Sequence, residues 1–224
     1  KKEKRYLKLS KIFDYFSEME IDISWYKKKS NHFPQSSNIN LQTLKKVIQN
    51  CKKCKLHETR INTVFGEGST SAKVMIIGEA PGKDEDISGK PFVGRAGKLL
   101  TEILDSISIQ RKDIFITNTV KCRPPENRNP HDDEIKSCSK YLDEQIKLID
   151  PKVIVLLGKV AANRILNIDE PMSELRGKKY FIKENNIPII VFYHPAYLLR
   201  SPLQKSKVWE DLKFMNNIIT NYDC

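Results

Sequence analysis

The sequence predicts an α/β fold: a three-layer α/β/α sandwich with a central, mostly parallel four-stranded sheet, preceded by an N-terminal helical extension. Short apolar runs alternate along the chain with stretches of helical periodicity. The runs are apolar at almost every position, which is typical of parallel strands that helices cover on both faces. A chain of 224 residues is long enough to bury one large core and to carry an appendage.

The N-terminal segment is predicted to be a helical extension and a linker. Apolar residues recur at helical spacing from Tyr6 to about Tyr26, and a polar stretch that contains Pro34 follows them. A second helical pattern, Leu41 to Asn50, then leads to the first cysteine. We therefore expect residues 1–40 to form the extension and residues 41–224 to form the main domain.

Apolar runs and helical patterns alternate through the main domain. The predicted strands are residues 73–78, 113–118, 153–158 and 187–193, with residues 180–183 as a candidate additional strand. The predicted helices are residues 97–107, 132–149, 160–166 and 204–219. Sheets of this type bind their ligands at the carboxyl ends of the strands, so we expect the site in the loops that follow these runs.

The composition favours a nucleic-acid partner. The formal net charge is +11 and the pI is about 9.3, which favours binding to a polyanion, although a general bias towards lysine explains the charge equally well. The sequence contains no apolar run of about 20 residues, the length that a membrane helix needs, and Lys1 to Ser10 lacks the apolar region of a signal peptide. We expect a cytoplasmic monomer without membrane contact.

Four cysteines form two pairs that are distant in the sequence. Cys51 and Cys54 form a CxxC motif, whereas Cys122 follows a predicted strand and Cys138 lies in a predicted helix. In a reducing cytosol such a set indicates a metal centre, and the isolated Cys224 is expected to be a free thiol. Four thiolates suit structural zinc and an iron–sulfur cluster alike, and their spacing does not separate the two. Four buried cysteines without metal are the remaining alternative.

Unusual residues lie directly after the predicted strands. They form the segments Gly78-Glu-Ala-Pro-Gly82, Asn118 to Arg128, Gly158-Lys159 and His194-Pro-Ala196. Because parallel strands end at the same edge of a sheet, these distant segments are expected to converge.

These segments resemble the family 4 uracil-DNA glycosylases, the iron–sulfur branch of the uracil-DNA glycosylase superfamily. The matching motifs, in the family order, are GEAPG followed by KDED (78–86), SGKPFVGRAGKLL (88–100), TNTVKCRPPENRNP (117–130) and YHPAYLLR (193–200). With the CxxC motif the match extends from residue 51 to about residue 209. The resemblance implies base excision repair: the nucleotide is flipped into a pocket, the N-glycosidic bond of uracil is hydrolysed, and an abasic site remains in the DNA.

The resemblance also implies roles for individual residues. By this resemblance, the ligands of a [4Fe-4S] cluster are Cys51, Cys54, Cys122 and Cys138. Phe92 is expected to stack on the flipped base, and the Asn118 amide to pair with uracil N3–H and O4. His194 is expected to donate to uracil O2 as negative charge develops there. Without the resemblance, these three residues would be interpreted as a core phenylalanine, a turn residue and a packed histidine.

Two acidic residues complete the expected pocket. Glu79 is assigned to orienting water or stabilising the cationic sugar, and Glu85 to the pocket edge near ring C5, where it would exclude the methyl group of thymine. The best-known branch of the superfamily has an aspartate where this chain has Ala80, so the general base stays open. The N–H groups of Ala80 and Gly82 are candidates for an anion-binding nest, and both acids could instead be solvated.

The DNA contacts are expected on two loops. Leu198, Leu199 and Arg200 follow the histidine and resemble the loop that enters the minor groove in the superfamily, where apolar wedges support base flipping. An amphipathic turn is the alternative. Arg123 and Arg128 are candidate phosphate contacts, although single basic residues are more often solvated.

Two other functions remain open from the sequence. A non-catalytic, metal-stabilised DNA-binding module would explain the charge and the cysteines, but not the matching positions of Asn118 and His194. A superfamily glycosylase with another base preference, or one that traps uracil covalently, would keep the pocket. The KCRPPENR segment lacks a longer insertion that carries histidine, which argues against covalent trapping of uracil.

Overall fold

Four strands that are buried along their whole length form the centre of the structure, a computed structural model that describes residues 40–181 and 186–222. The chain divides between Ile39 and Asn40 into two units, and the described residues belong to the second. The predicted N-terminal extension, apart from Asn40, lies outside the described residues.

The sheet has six strands in the described part of the chain. In chain order they are β1 (Glu67–Gly68), β2 (Val74–Gly78), β3 (Phe115–Asn118), β4 (Val153–Leu157), β5 (Tyr180–Phe181) and β6 (Pro188–Phe192). Their spatial order is β1-β3-β2-β4-β6-β5. The four central strands are parallel, and the two short outer strands pair antiparallel with them.

The four predicted strands are confirmed, and the outer strands extend the predicted sheet. β5 corresponds to the first two residues of the candidate strand 180–183. β1 was not predicted, because a strand of two residues, one of them glycine, has no periodicity that could reveal it. The register matters for function: Gly78 pairs with Asn118, and Leu157 pairs with Phe192. The loops that follow these strands therefore start at the same edge of the sheet.

Helices cover both faces of the sheet. In chain order they are α1 (Leu41–Gln49), α2 (Leu56–Thr59), α3 (Lys83–Ser88), α4 (Arg95–Asp105), α5 (Asp132–Ile149), α6 (Lys159–Leu166), α7 (Met172–Leu175), α8 (Pro195–Arg200) and α9 (Lys205–Tyr222). The predicted helices correspond to α1, α4, α5, α6 and α9. The others span six residues or fewer, too short to show a helical repeat in sequence. None of the helices described here combines the length and apolar character that crossing a membrane requires.

The core confirms the three-layer arrangement. Alternate residues of the central strands, such as Ile76, Val155 and Ile190, pack with apolar residues of α4, α8 and α9 on one face. Their neighbours Ile77 and Leu156 are equally buried, with 0% exposure, but point to the opposite face. Burial on both faces explains why the strands are apolar throughout.

Candidate active site

A cavity of about 430 Å³ lies at the carboxyl ends of the parallel strands. It collects all the residues that the sequence analysis assigned to uracil: Glu79, Ala80, Gly82, Glu85, Phe92, Asn118 and His194. Arg128 and Arg200 line it as well, whereas Arg123, Leu198 and Leu199 are not among its lining residues. Five further lining residues were not singled out for this pocket from the sequence: Ala96, Asn127, Asn129, Ala196 and Tyr197.

Phe92 is held in the cavity by an unusual backbone conformation. Its φ angle is 52°, a left-handed value that non-glycine residues seldom adopt. Arg111 supports this turn because its guanidinium donates to the carbonyl oxygens of Pro91 and Phe92, at 2.9 and 3.2 Å. The Phe92 ring is 7% exposed, and its centroid lies 5.8 Å from that of the His194 ring. An aromatic face and an imidazole therefore border the same space.

Asn118 is the last residue of β3 and lies at the bottom of the cavity. It is 1% exposed, and its side-chain oxygen Oδ1 has no hydrogen-bond partner among the described residues. A buried acceptor without a donor is costly, at about 1–3 kcal/mol. In an apo pocket such an atom indicates a ligand that brings an N–H group.

The His194 ring is oriented by a hydrogen bond from the backbone of the helix that follows it. It caps helix α8, where its Nδ1 accepts a hydrogen bond from the Ala196 N–H at 3.1 Å. Nδ1 is therefore unprotonated, and the proton of the neutral ring resides on Nε2. Burial, and to a lesser extent the charge of Arg200, lowers the pKa of His194 to about 4, with Glu85 acting in the opposite direction. The ring is a neutral donor near neutral pH.

Glu79 supplies a carboxylate in the same cavity. Burial raises its pKa above the ordinary value of 4.5 because water no longer stabilises the charge fully. The loop around it is fixed, since the Glu79 carbonyl accepts hydrogen bonds from Thr119 Oγ1 at 2.5 Å and from the Val120 N–H at 3.3 Å. The carboxylate is thus a better proton acceptor than a solvated glutamate.

Glu85 lines the cavity, where its place near ring C5 stays a prediction, and it has a structural role as well. Its carboxylate accepts three backbone N–H groups, those of Val93 at 2.8 Å, Gly94 at 2.9 Å and Gly82 at 3.1 Å. It therefore joins the loop after β2 to the loop that carries Phe92. The Gly82 N–H, predicted to contribute to an anion nest, is used in this contact.

The predicted DNA-contacting residues separate into buried and accessible ones. Leu198 is 0% exposed and belongs to the hydrophobic core, so the expectation that it acts as a wedge is wrong: its side chain points towards the sheet. Leu199 is 36% exposed and Arg200 is exposed. Arg123 donates from Nε to Asn127 Oδ1 at 2.7 Å.

Arg128 already has a strong partner. Its guanidinium forms a two-pronged pair with the Glu134 carboxylate, at 2.7 and 2.9 Å. Glu134 also accepts the His131 N–H at 2.8 Å. Planar two-point pairs of this kind fix the guanidinium, so Arg128 orders the cavity wall.

Cys51, Cys54, Cys122 and Cys138 line one small cavity that residues near the start of the domain and residues of helix α5 form. We call these four residues the cysteine cage. None of the four is in a disulfide. Burial raises the pKa of Cys122 to about 11 and that of Cys138 to about 12. Both are thiols unless a metal displaces the proton.

Two basic residues contact the cysteine cage, although neither was predicted to do so. Arg60 donates from Nη1 to the Cys122 sulfur and from Nη2 to the Cys51 carbonyl oxygen, both at 2.8 Å. Lys121 is buried beside the cysteines. The available signal for Lys121 was its position directly before a predicted metal ligand, but lysine is seldom buried without partners, so a solvated side chain was expected.

The chain is similar to known proteins over most of its length. Residues 65–213 match the family model of the uracil DNA glycosylase superfamily. A type-4 uracil-DNA glycosylase of Archaeoglobus fulgidus is 44% identical over 179 residues, covering 77% of this chain and 90% of that protein. The type-4 enzyme of Sulfurisphaera tokodaii is 48% identical over 180 residues, covering 77% and 82%. That of Thermotoga maritima is 39% identical over 183 residues, covering 77% and 91%. The chain belongs to the uracil-DNA glycosylase superfamily and, within it, to the type-4 uracil-DNA glycosylases.

Proposed function

We propose that this enzyme recognises uracil in DNA through Asn118 and Phe92 and cleaves its glycosidic bond with the help of His194 and Glu79. The observation that carries the proposal is the buried Asn118 Oδ1, which lacks a donor among the described residues. Uracil N3–H would supply that donor, and the amide nitrogen of the same side chain would donate to O4. Cytosine has no hydrogen at N3 and an amino group at position 4, so it would leave both pairs unmade.

Phe92 serves as the stacking surface. Its ring borders the cavity beside His194, and stacking of a base on an aromatic ring contributes about 1–3 kcal/mol. This energy offsets part of the cost of taking the nucleotide out of the duplex.

His194 stabilises the leaving group. When the bond between C1′ and N1 breaks, its electron pair moves to the uracil ring, and negative charge develops at O2. A neutral imidazole with its proton on Nε2 can donate to that oxygen without first gaining a second proton. The hydrogen bond between Ala196 N–H and Nδ1 favours this tautomer.

Glu79 acts on the sugar side. Loss of uracil leaves a positively charged, oxocarbenium-like sugar, which a nearby carboxylate stabilises. The same carboxylate orients a water molecule, whose oxygen bonds to C1′, and the carboxylate takes up the proton that this water loses. That proton returns through solvent to the uracil anion. The products are free uracil and an abasic site.

We further propose that Cys51, Cys54, Cys122 and Cys138 hold a [4Fe-4S] cluster. The donor set fits, because four cysteines that form no disulfide line one cavity. Four thiolates suit zinc and an iron–sulfur cluster alike, and similarity to the type-4 enzymes supports the cluster. When bound, the cluster would cross-link the start of the domain to helix α5, and no step of the reaction is assigned to it.

The experiment that tests the active-site proposal uses a uracil-containing oligonucleotide, with alkali to cut the strand at abasic sites. Wild-type enzyme should give strand breaks, and a non-catalytic binding module would give none. Asn118→Asp should lose at least about tenfold in kcat/KM for uracil while its circular dichroism stays unchanged. Asn216→Asp, which adds the same charge to the exposed side of α9, should match the wild type. Unchanged uracil release by Asn118→Asp would remove this residue from the pocket.

A further inference from the structure

The lysine that precedes Cys122 lies between the cysteine cage and the uracil pocket. Lys121 is 1% exposed and lines the cavity that the four cysteines share. Its ammonium group donates to the Asn118 carbonyl oxygen at 2.6 Å and to Thr117 Oγ1 at 2.7 Å. A buried ammonium is costly unless its donors are satisfied, so these contacts hold the side chain in one position.

The backbone of the same residue faces the cage. The Lys121 backbone N–H lies close enough to the Cys138 sulfur to counteract, in part, the rise in the pKa of that thiol, and the Lys121 carbonyl accepts the Val64 N–H at 2.8 Å. Cys122 is the next residue in the chain. One residue thus contacts a proposed cluster ligand through its backbone and the uracil-recognising residue through its side chain.

A buried polar network extends this connection. Thr117 Oγ1 donates to the Phe65 carbonyl oxygen at 2.9 Å, and Gln145 Nε2 donates to the same oxygen at 2.7 Å. Gln145 lies on helix α5, which also carries Cys138. The end of strand β3 is therefore joined to the helix of the cage by hydrogen bonds that water does not reach.

We propose that Lys121 is a positioning residue that couples the cysteine cage to uracil recognition. Cys122 and Cys138 fix the backbone of Lys121, and the ammonium group of Lys121 in turn holds the Asn118 peptide in position. The inference rests on the proposed function of Asn118 and of the cysteines. An error of about 1 Å in a group that orients the substrate can cost about a hundredfold in rate. Loss of the Lys121 ammonium should therefore lower kcat, whereas KM for DNA should change little, because contacts with the phosphate backbone contribute most of the affinity of proteins for DNA.

The first test compares three variants of the full chain. Lys121→Met should keep the iron content and visible absorption of the wild type, lower kcat at least about tenfold, and change KM by less than about twofold. Thr117→Ser keeps the hydroxyl group that accepts from Lys121 and donates to the Phe65 carbonyl oxygen, so it should keep most of kcat. Lys52→Met, an exposed lysine beside Cys51, should match the wild type.

Three results would overturn the proposal. They are a wild-type kcat for Lys121→Met, a fall in its activity that only follows its loss of iron, or an equal loss of kcat in Thr117→Ser. A wild-type enzyme that releases no uracil would refute the proposed function instead.

A second measurement decides the question even if Lys121→Met does not fold. Iron is removed from the wild-type protein with a chelator and an oxidant, and backbone hydrogen exchange is followed by mass spectrometry. Exchange should accelerate in the segment Phe115–Lys121 but not in strand β4. Unchanged exchange in that segment, or equal acceleration in β4, would show that the cage does not hold Asn118.

Discussion

Gly78 lies against Asn118 so closely that a Cβ atom on the glycine would be 2.5 Å from Asn118 Oδ1. The same atom would lie 2.5 Å from Cζ of Phe92. The absence of a side chain at Gly78 therefore lets the proposed amide and aromatic surfaces approach the end of strand β2 together. Strand pairing enforces this proximity, because Gly78 and Asn118 are direct partners in the parallel ladder.

Gly78→Ala should disable the pocket. Both neighbours must move, and overpacking of this kind typically destabilises by about 1–3 kcal/mol. We expect a lower melting temperature and a strongly reduced kcat/KM for uracil. Gly177→Ala is the control, since its φ of 69° penalises alanine but no atom lies within 4 Å of the added Cβ. It should lose stability and keep its excision rate; a fully active Gly78→Ala would contradict the packing argument.

His194 should remain neutral under ordinary assay conditions. Its folded pKa of about 4 lies below the ordinary value of 6.5, so between these pH values the unfolded chain binds the extra proton. The stability contributed by this group is complete above about pH 6.5 and declines as the pH falls towards 4. NMR titration of the imidazole should give a midpoint near 4 in the folded protein and a higher one in urea. A folded midpoint near 6.5 would show that the ring is solvated.

Protonation of Glu79 should determine the acid limb of the pH profile, that is, the fall of kcat for uracil excision as the pH decreases. Burial raises its pKa above 4.5, whereas that of His194 is lowered to about 4, so Glu79 is the first of the two to be protonated on acidification. We expect kcat to fall with a midpoint above 4.5 in the wild type. Glu79→Gln should lose about a hundredfold or more in kcat and lack this limb. Glu210→Gln, on the exposed side of α9, serves as the control. An identical limb in Glu79→Gln would assign the titration elsewhere.

Glu85→Gln should loosen the loop that carries Phe92. The amide presents an NH2 group to backbone N–H donors that the carboxylate now accepts, and an unpaired buried donor costs about 1–3 kcal/mol. Thermal unfolding should show the loss, and uracil affinity should weaken with it because the Phe92 surface shifts. The exposed neighbour Asp84 provides the control variant Asp84→Asn. Glu85→Gln with unchanged stability would mean that the three contacts contribute nothing.

Cys122→Ser should remove the proposed cluster. A serine oxygen is a poor ligand for iron in this setting, so the visible absorption and the iron content should fall, and thermal stability should fall with them. Cys224→Ser leaves the four proposed ligands intact and should retain both signals. Wild-type iron content in Cys122→Ser would exclude Cys122 as a ligand.

Much of this enzyme follows from the sequence alone. Strands that are apolar at every position require helices on both faces, so the layers and the four central strands were predictable. The location of the site followed too, because parallel strands deliver Gly78, Asn118 and His194 to one edge. The four motifs in order then indicated the family before any contact was known.

Tertiary structure decided what each side chain does at that edge. Leu198 is buried, which its sequence does not reveal because a helix of six residues shows no helical repeat. Glu85 accepts three backbone N–H groups, and two of these donors, Val93 and Gly94, belong to a different loop. The bond from Lys121 to Asn118 likewise depends on how the chain turns after β3. Local patterns determine which segments become strands and helices, whereas the partner of a polar group depends on the segment that folding brings beside it.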